Sequence, residues 1–451
     1  MAGGIATADA GAGPSWVGQA LNGAGSWRLR GKAPYLLGLL MLFDSWDSVV
    51  IAFTLPAIMA EWQLSALEAG WLISAGYGGQ FLGAILFGSL AEKYGRLPVL
   101  WLLVVAMSLL AIVCALTGSY AQLMGVRLVQ GLAIGGALPV AICYINEIAP
   151  TATRGRFFGS FQFLMTSGFG LAALASVWIV PAYGWRPMFA IGAVPLLLLP
   201  FTLSLPESPR WLAARGRAED ALRSLARLGG APGQVPEDIA GTSLQAAPKV
   251  PFSLLLAPEL RGRTIVAVLL WFLTSLVSFG LVTWIPSIYV SMFGIPVADA
   301  LRYNAIVAVS IFILPIVLRQ TIDRIGRRPP AILGTGIGGL ALLGLVFVGN
   351  DGVLLLVTLA IIGQIGISAG SMILWPYTAE IFDTRVRSLA LGAASSVARG
   401  ASMLTPLVVG GVLQVTGSVM LVFAIFGSAA IIVALLWLFA TRETAGQEID
   451  D

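Results

Sequence analysis

The chain has 451 residues, of which 58% are hydrophobic and 11% charged. Soluble domains carry about 25% charged residues, so a soluble enzyme or soluble regulator is excluded and an integral membrane protein is implied. The net charge is +4 and there is no histidine. This balance points to basic loops rather than nucleic-acid binding, and it leaves any proton relay to carboxylates.

Residues 1–32 are rich in Gly and Ala and lack the basic-then-apolar order of a signal peptide. They are expected to be a disordered cytosolic tail, with Trp16 and Trp27 in it. Twelve apolar runs follow, at 33–60, 69–91, 98–117, 121–146, 157–181, 187–205, 264–290, 302–320, 330–349, 353–377, 388–412 and 417–440. Each is long enough to cross a hydrocarbon core of about 30 Å, some of them with tilt. Their grouping predicts an all-α membrane protein of two six-helix bundles, at 33–205 and 263–440. A cytosolic linker with short amphipathic helices spans 206–262, and a cytosolic tail spans 441–451.

The first run carries Phe43-Asp44-Ser45-Trp46-Asp47-Ser48. Asp44 lies ten residues after Pro34, about 15 Å along a helix and so near the midplane. A charge there costs on the order of 2.5–3.5 kcal/mol on insertion scales. Asp44 and Asp47, three apart, share one helix face, and their charged forms are disfavoured at that depth. They are the candidates for proton coupling.

Lysines and arginines set the orientation. Of 26, 22 fall on the side of the N-terminus, only Arg186 and Arg302 on the other, and Arg127 and Arg399 lie within runs. Both termini are therefore expected in the cytosol and the chain in the plasma (inner) membrane. Cys114 and Cys143 sit in apolar runs and suggest neither a disulfide framework nor a metal site. No cofactor is implied.

The two halves repeat. Gly88-Ser-Leu-Ala-Glu92-Lys-Tyr-Gly95-Arg96 follows the second run, and Asp323-Arg-Ile-Gly326-Arg327-Arg328 follows the eighth. Gly95 and Gly326 are 231 residues apart. Glu147 with Arg154, after the fourth run, matches Glu380 with Arg387, after the tenth; Glu147 and Glu380 are 233 apart. Two motifs at nearly one offset define a parallel repeat. Gly88 is expected to let helices approach closely. Glu92 is expected to pair with a base or to cap a helix N-terminus, Gly95 to permit the turn, and Arg96 to pair with Glu147. Together they would form a cytosolic gate holding the bundles.

The loop 88–96 resembles the signature loop of the major facilitator superfamily, with Glu92 in place of the usual Asp, Leu97 where a basic residue is common and Arg319 in place of the second copy's Gly. Leu205-Pro206-Glu207-Ser208-Pro209-Arg210 and Glu147-Ile-Ala-Pro150-Thr-Ala-Thr-Arg154-Gly-Arg156 resemble the sugar-porter and related metabolite-porter branches. In the linker, Ser208 suits an N-cap and Pro209 the first helical position, with a break near Gly216.

Buried charges in a span pair with one another or line a pathway. Arg127 can be a structural partner of a first-span Asp or a site residue. Arg399 lies in the other half and closer to the midplane. The set Asp44, Asp47, Arg127 and Arg399 resembles the aromatic acid:proton symporters and nicotinate-type carriers, although Trp46 departs from the residues usual between the two acids. That resemblance implies symport of a proton with a small organic, aromatic carboxylate, with Arg399 on the substrate. The seventh run has no amide, which argues against a sugar; a proton-coupled sugar or polyol porter is the alternative. A sensor or membrane enzyme lacks support, because no nucleophile–base pair or phosphate loop is visible. Further substrate-contact candidates are Tyr77, Gln80, Gln162, Trp284 and Gln364, with Asn304 even between helix glue and contact. The expected partners are an organic anion, protons and the bilayer, not nucleic acid, and the expected state is a monomer.

Overall fold

The computed structural model describes residues 15–23, 30–150, 153–229, 251–347 and 352–444. Among these the regular structure is helical. The first bundle holds α2 (Ala33–Trp62), α3 (Ala66–Tyr94), α4 (Arg96–Leu116), α5 (Tyr120–Ile148) and α6 (Arg154–Tyr183). The sixth span is broken into α7 (Arg186–Ala190), a 3₁₀ turn at Ile191–Ala193 and α8 (Pro195–Thr202). Pro195 lacks the N–H that a continuous helix needs at that turn. The second bundle holds α11 (Pro258–Ser291), α12 (Val297–Ile325), α13 (Arg328–Gly344), α14 (Val353–Ile381), α15 (Thr384–Thr416) and α16 (Val419–Phe439). Among the described residues, ten helices are long and apolar enough to cross a membrane. Helix α3 and the broken 186–202 segment fill the other two of the twelve expected places.

Local signals set the boundaries. Ser65 and Glu68 form a reciprocal capping box at the start of α3. Gly95, at φ +112°, ends α3 and starts α4 in one residue, a conformation open to glycine. Small residues set the spacing of α3 and α5. A Cβ at Gly83 would strike the Leu132 carbonyl, and one at Gly135 the Gln80 carbonyl. Gly88 faces open space instead. The close approach expected there is made at Gly83 and Gly79, about one and a half and two and a half turns earlier, where α3 crosses α5.

The N-terminal segment differs from expectation. Residues Ser15–Gly23 form helix α1. Its Trp16, Val17 and Leu21 pack against Leu212, Ala221 and Leu225. Those partners belong to the linker helices α9 (Pro209–Ala214) and α10 (Ala218–Arg227), which flank a break at Gly216, φ +73°. The tail expected to be disordered thus carries a docked helix, because a short apolar face finds a matching one on the linker. Trp27 lies outside the described residues.

The bundles meet unevenly. At the end opposite the Gly95 and Gly326 turns, one hydrophobic cluster runs through both bundles, with Phe53 and Ile73 joined to Trp284, Val409 and Phe426. At the turn end the clusters are separate, one around Leu100, Tyr144 and Phe157 and another around Trp271, Tyr377 and Trp437. The opposite end is sealed by two glycines. A Cβ at Gly70 would lie 2.6 Å from the Pro406 carbonyl, and one at Gly410 2.6 Å from the Ala66 carbonyl. Ser74 Oγ donates to the Met403 carbonyl at 2.7 Å across the same seam. Gly70→Leu should therefore open this end, since overpacking costs about 1–3 kcal/mol. In a background lacking Cys114 and Cys143, Ser48→Cys, at a position lining a cavity between the bundles, should then react faster with an impermeant thiol reagent added from that side. Unchanged labelling would contradict the seal.

Candidate functional site: a charged cavity between the bundles

Two charged side chains line a central cavity of about 230 Å³: Asp44 from α2 and Arg399 from α15. They come from different bundles. Tyr77 and Gln80 from α3, Phe279 from α11 and Trp375 from α14 share its wall. Trp375 is held over the cavity by an edge contact with Trp271, ring centres 4.8 Å apart. No ion pair within 4 Å joins Asp44 to Arg399 among the described residues. One Asp44 oxygen and the Gln80 amide nitrogen have no hydrogen-bond partner. The cavity thus presents unspent polar groups at the depth where they are costliest.

Asp47 lies behind this cavity, fully buried. Neither of its carboxylate oxygens accepts a hydrogen bond. A Cβ at Gly192, in the 3₁₀ turn of the broken sixth span, would strike the Asp47 carboxyl. The break in that span therefore makes the room that Asp47 occupies. Trp46 Nε1 donates to the Met188 carbonyl at 2.9 Å and fixes the helix against the same segment.

Arg127, also buried, does not bond the Asp47 carboxylate. It donates to the Asp47 backbone carbonyl at 3.3 Å and to Gln130 Oε1 at 2.8 Å, and its guanidinium lies 5.6 Å from the Phe189 ring centre. Gln130 in turn donates to the Met107 carbonyl at 3.3 Å. Arg127 thus sets a positive field beside Asp47 while remaining outside the cavity. Gln130 is a partner that the sequence reading passed over; its place one turn after Arg127 on the same helix face was the available signal.

The remaining expected contacts divide. Tyr77 and Gln364 line a second cavity beside the first. Gln162 is turned along its own helix, donating to Thr166 at 3.3 Å, and lines neither cavity. Trp284 is buried in the shared cluster at the sealed end, because its α11 face turns to the core rather than to the cavity.

At the turn end, the expected pair forms: Arg96 to Glu147 at 3.0 Å, and in the other half Arg327 to Glu380 at 2.9 Å. Neither pair crosses between bundles in this conformation. Glu147 takes Arg96 and not Arg154, which is exposed on the first turn of α6. Arg387 donates to the Phe382 carbonyl at 3.4 Å rather than to Glu380. The Asp323 side chain lies outside the described residues. Glu92 acts through its backbone carbonyl, which accepts from Trp211 and Arg215.

The helix cap expected of Glu92 is made by Glu207, which accepts from the Leu97 N–H at 3.1 Å. Burial holds the Glu207 carboxyl above the usual carboxylate range against that bond and the one from Ser208. Its counterpart Glu443, 236 residues on, accepts from the Arg327 and Arg328 N–H groups at 2.8 and 3.0 Å. At both positions the turn glycine is obligatory, since a Cβ at Gly95 or Gly326 would lie 2.5 Å from the capping carboxylate. The repeat therefore includes a third acidic residue per half.

Two repeated helical bundles around a buried, charged cavity define a major facilitator transporter. The chain belongs to the Sugar (and other) transporter family, whose model matches residues 36–451; it is a transporter and not an enzyme. It is 29% identical to the niacin transporter NiaP of Acinetobacter baylyi over 92% of this chain and 94% of the relative. It is also 29% identical to a gallate transporter of Pseudomonas putida, over 88% of each chain, and 27% identical to a benzoate transport protein of A. baylyi, over 83% of this chain and 82% of the relative. In fold it is similar to a D-xylose–proton symporter, with a TM-score of 0.73 and 22% identity over 94% of this chain and 100% of that one.

Proposed function

We propose that this transporter moves a small aromatic carboxylate together with protons, by rocking of the two bundles around the central cavity. The observation that carries the reading is the cavity's charge: one base and one acid, contributed by opposite bundles. Arg399 meets the substrate carboxylate in a charge-assisted hydrogen bond, and the aromatic wall packs the ring. An anion at Arg399 and a charged Asp44 in one low-dielectric space repel each other. Protonation of Asp44 removes that conflict, so proton and substrate load together. Asp47 is the second proton site: an ionised carboxyl with no donor on either oxygen is costly in a buried place, and a proton removes the charge. Niacin, gallate and benzoate, the compounds named for the three relatives, are all ring carboxylates.

The test is uptake by proteoliposomes under an imposed inward proton gradient, with benzoate, nicotinate and a hexose as competing solutes. Ring acids should accumulate and compete with one another, and the hexose should do neither. Accumulation of the hexose alone would establish a sugar porter instead.

In this reading the turn end faces the cytosol of the plasma (inner) membrane, and the pairs Arg96–Glu147 and Arg327–Glu380 hold the turns that come together when that end closes. Arg96→Ala and Arg327→Ala should each slow transport at least tenfold while leaving the substrate Kd within about twofold. A matching loss of affinity would assign the pairs to folding of the cavity rather than to closure.

A further inference from the structure

The second cavity, of about 240 Å³, adjoins the first and shares Val49, Tyr77, Phe169 and Phe279 with it. Tyr77 and Phe279 meet edge to face at 5.7 Å and form the partition. Beyond that partition the lining contains no charged residue among those described. It contains two amides, Asn304 on α12 and Gln364 on α14. They are 8% and 3% exposed, and each leaves its amide nitrogen without a hydrogen-bond partner. Behind them the space narrows to a cleft of about 10 Å³ lined by Tyr289 and Tyr303. A ligand reaching this far ends at the amides.

An unpartnered buried amide has given up its water without a compensating hydrogen bond. Two of them at the closed end of one apolar pocket are compensated when a ligand brings a hydrogen-bonding group. The absence of charge in the lining sets the chemistry of that group, because a second carboxylate would be desolvated with nothing to balance it.

We infer that the second cavity is a specificity subsite for a neutral polar atom on the substrate ring, remote from the carboxylate, recognised by Asn304 and Gln364. A ring hydroxyl or ring nitrogen fits; a second carboxylate does not. This rests on the carboxylate reading of the first cavity, and it requires the Tyr77 and Phe279 rings, in edge contact here, to part so that the substrate ring spans both cavities.

The experiment measures Kd on purified full-length protein, by ligand-dependent thermal shift, for benzoate, 4-hydroxybenzoate, nicotinate and terephthalate. Wild type should bind at least one of 4-hydroxybenzoate and nicotinate about tenfold more tightly than benzoate, and terephthalate more weakly than benzoate. Asn304→Ala and Gln364→Met should each reduce the preference for the favoured polar acid over benzoate to about twofold or less, with the benzoate Kd unchanged. Retained benzoate binding also shows that each variant is folded. Equal binding of all the monoacids by wild type, tight binding of terephthalate, or equal weakening of benzoate and its polar analogues in both variants would overturn the subsite while leaving the Arg399 reading intact. Failure of every acid to bind wild type would overturn both.

Discussion

Asp47→Asn is expected to abolish accumulation of substrate against its gradient while preserving exchange of substrate across the membrane. The side chains are nearly isosteric, so the cavity made by Gly192 still holds the residue. Asn is neutral at every pH, however, and cannot alternate between a charged and an uncharged form. The bundles then interconvert without a proton at this site, and the coupled gradient is lost. Counterflow, which needs only binding and rocking, should continue at a rate within about tenfold of wild type. Full uphill accumulation by the variant would remove Asp47 from the coupling machinery and leave Asp44 as the proton site.

Arg399→Ala should weaken the substrate carboxylate by about 10- to 150-fold, the equivalent of about 1.5–3 kcal/mol for a hydrogen bond to a charged group. Arg399→Lys should recover only part of this, because a single ammonium cannot reproduce the two parallel donors of a guanidinium. A neutral ring compound such as benzamide is the control: its affinity should change little in either variant. An unchanged carboxylate Kd in Arg399→Ala would place the substrate elsewhere. The same substitution leaves Asp44 without the one basic side chain that, among the described residues, shares its cavity.

The architecture was legible because a membrane imposes strong rules on sequence. Apolar runs and two motifs at nearly one offset define spans and repeat without reference to packing. The four interior charges were equally visible, since each is expensive where it lies. Their partners were not. Arg127 was expected either to answer a first-span acid or to line the site, but it takes a backbone carbonyl and Gln130. The room for Asp47 comes from Gly192 in a broken span that reads in sequence as one apolar run. Phe279 and Asn304 reach the cavities only because α11 and α12 present those faces to the opposing bundle, and helices with apolar residues all round give no periodic signal of which side that is. Helix α1 was hidden by Gly and Ala composition, because its three docking residues matter only beside the linker helices. Glu443, the second helix cap, stands after the last span, where sequence alone suggests a loose tail.

The most direct measurement of the central claim is benzoate accumulation in proteoliposomes carrying a proton gradient, with and without a protonophore, for wild type and Arg399→Ala. Coupled transport of a ring carboxylate predicts uphill accumulation by wild type, its collapse on addition of the protonophore, and little uptake by Arg399→Ala at the same concentration. Accumulation that persists with the protonophore, or that is undiminished in Arg399→Ala, would contradict the account.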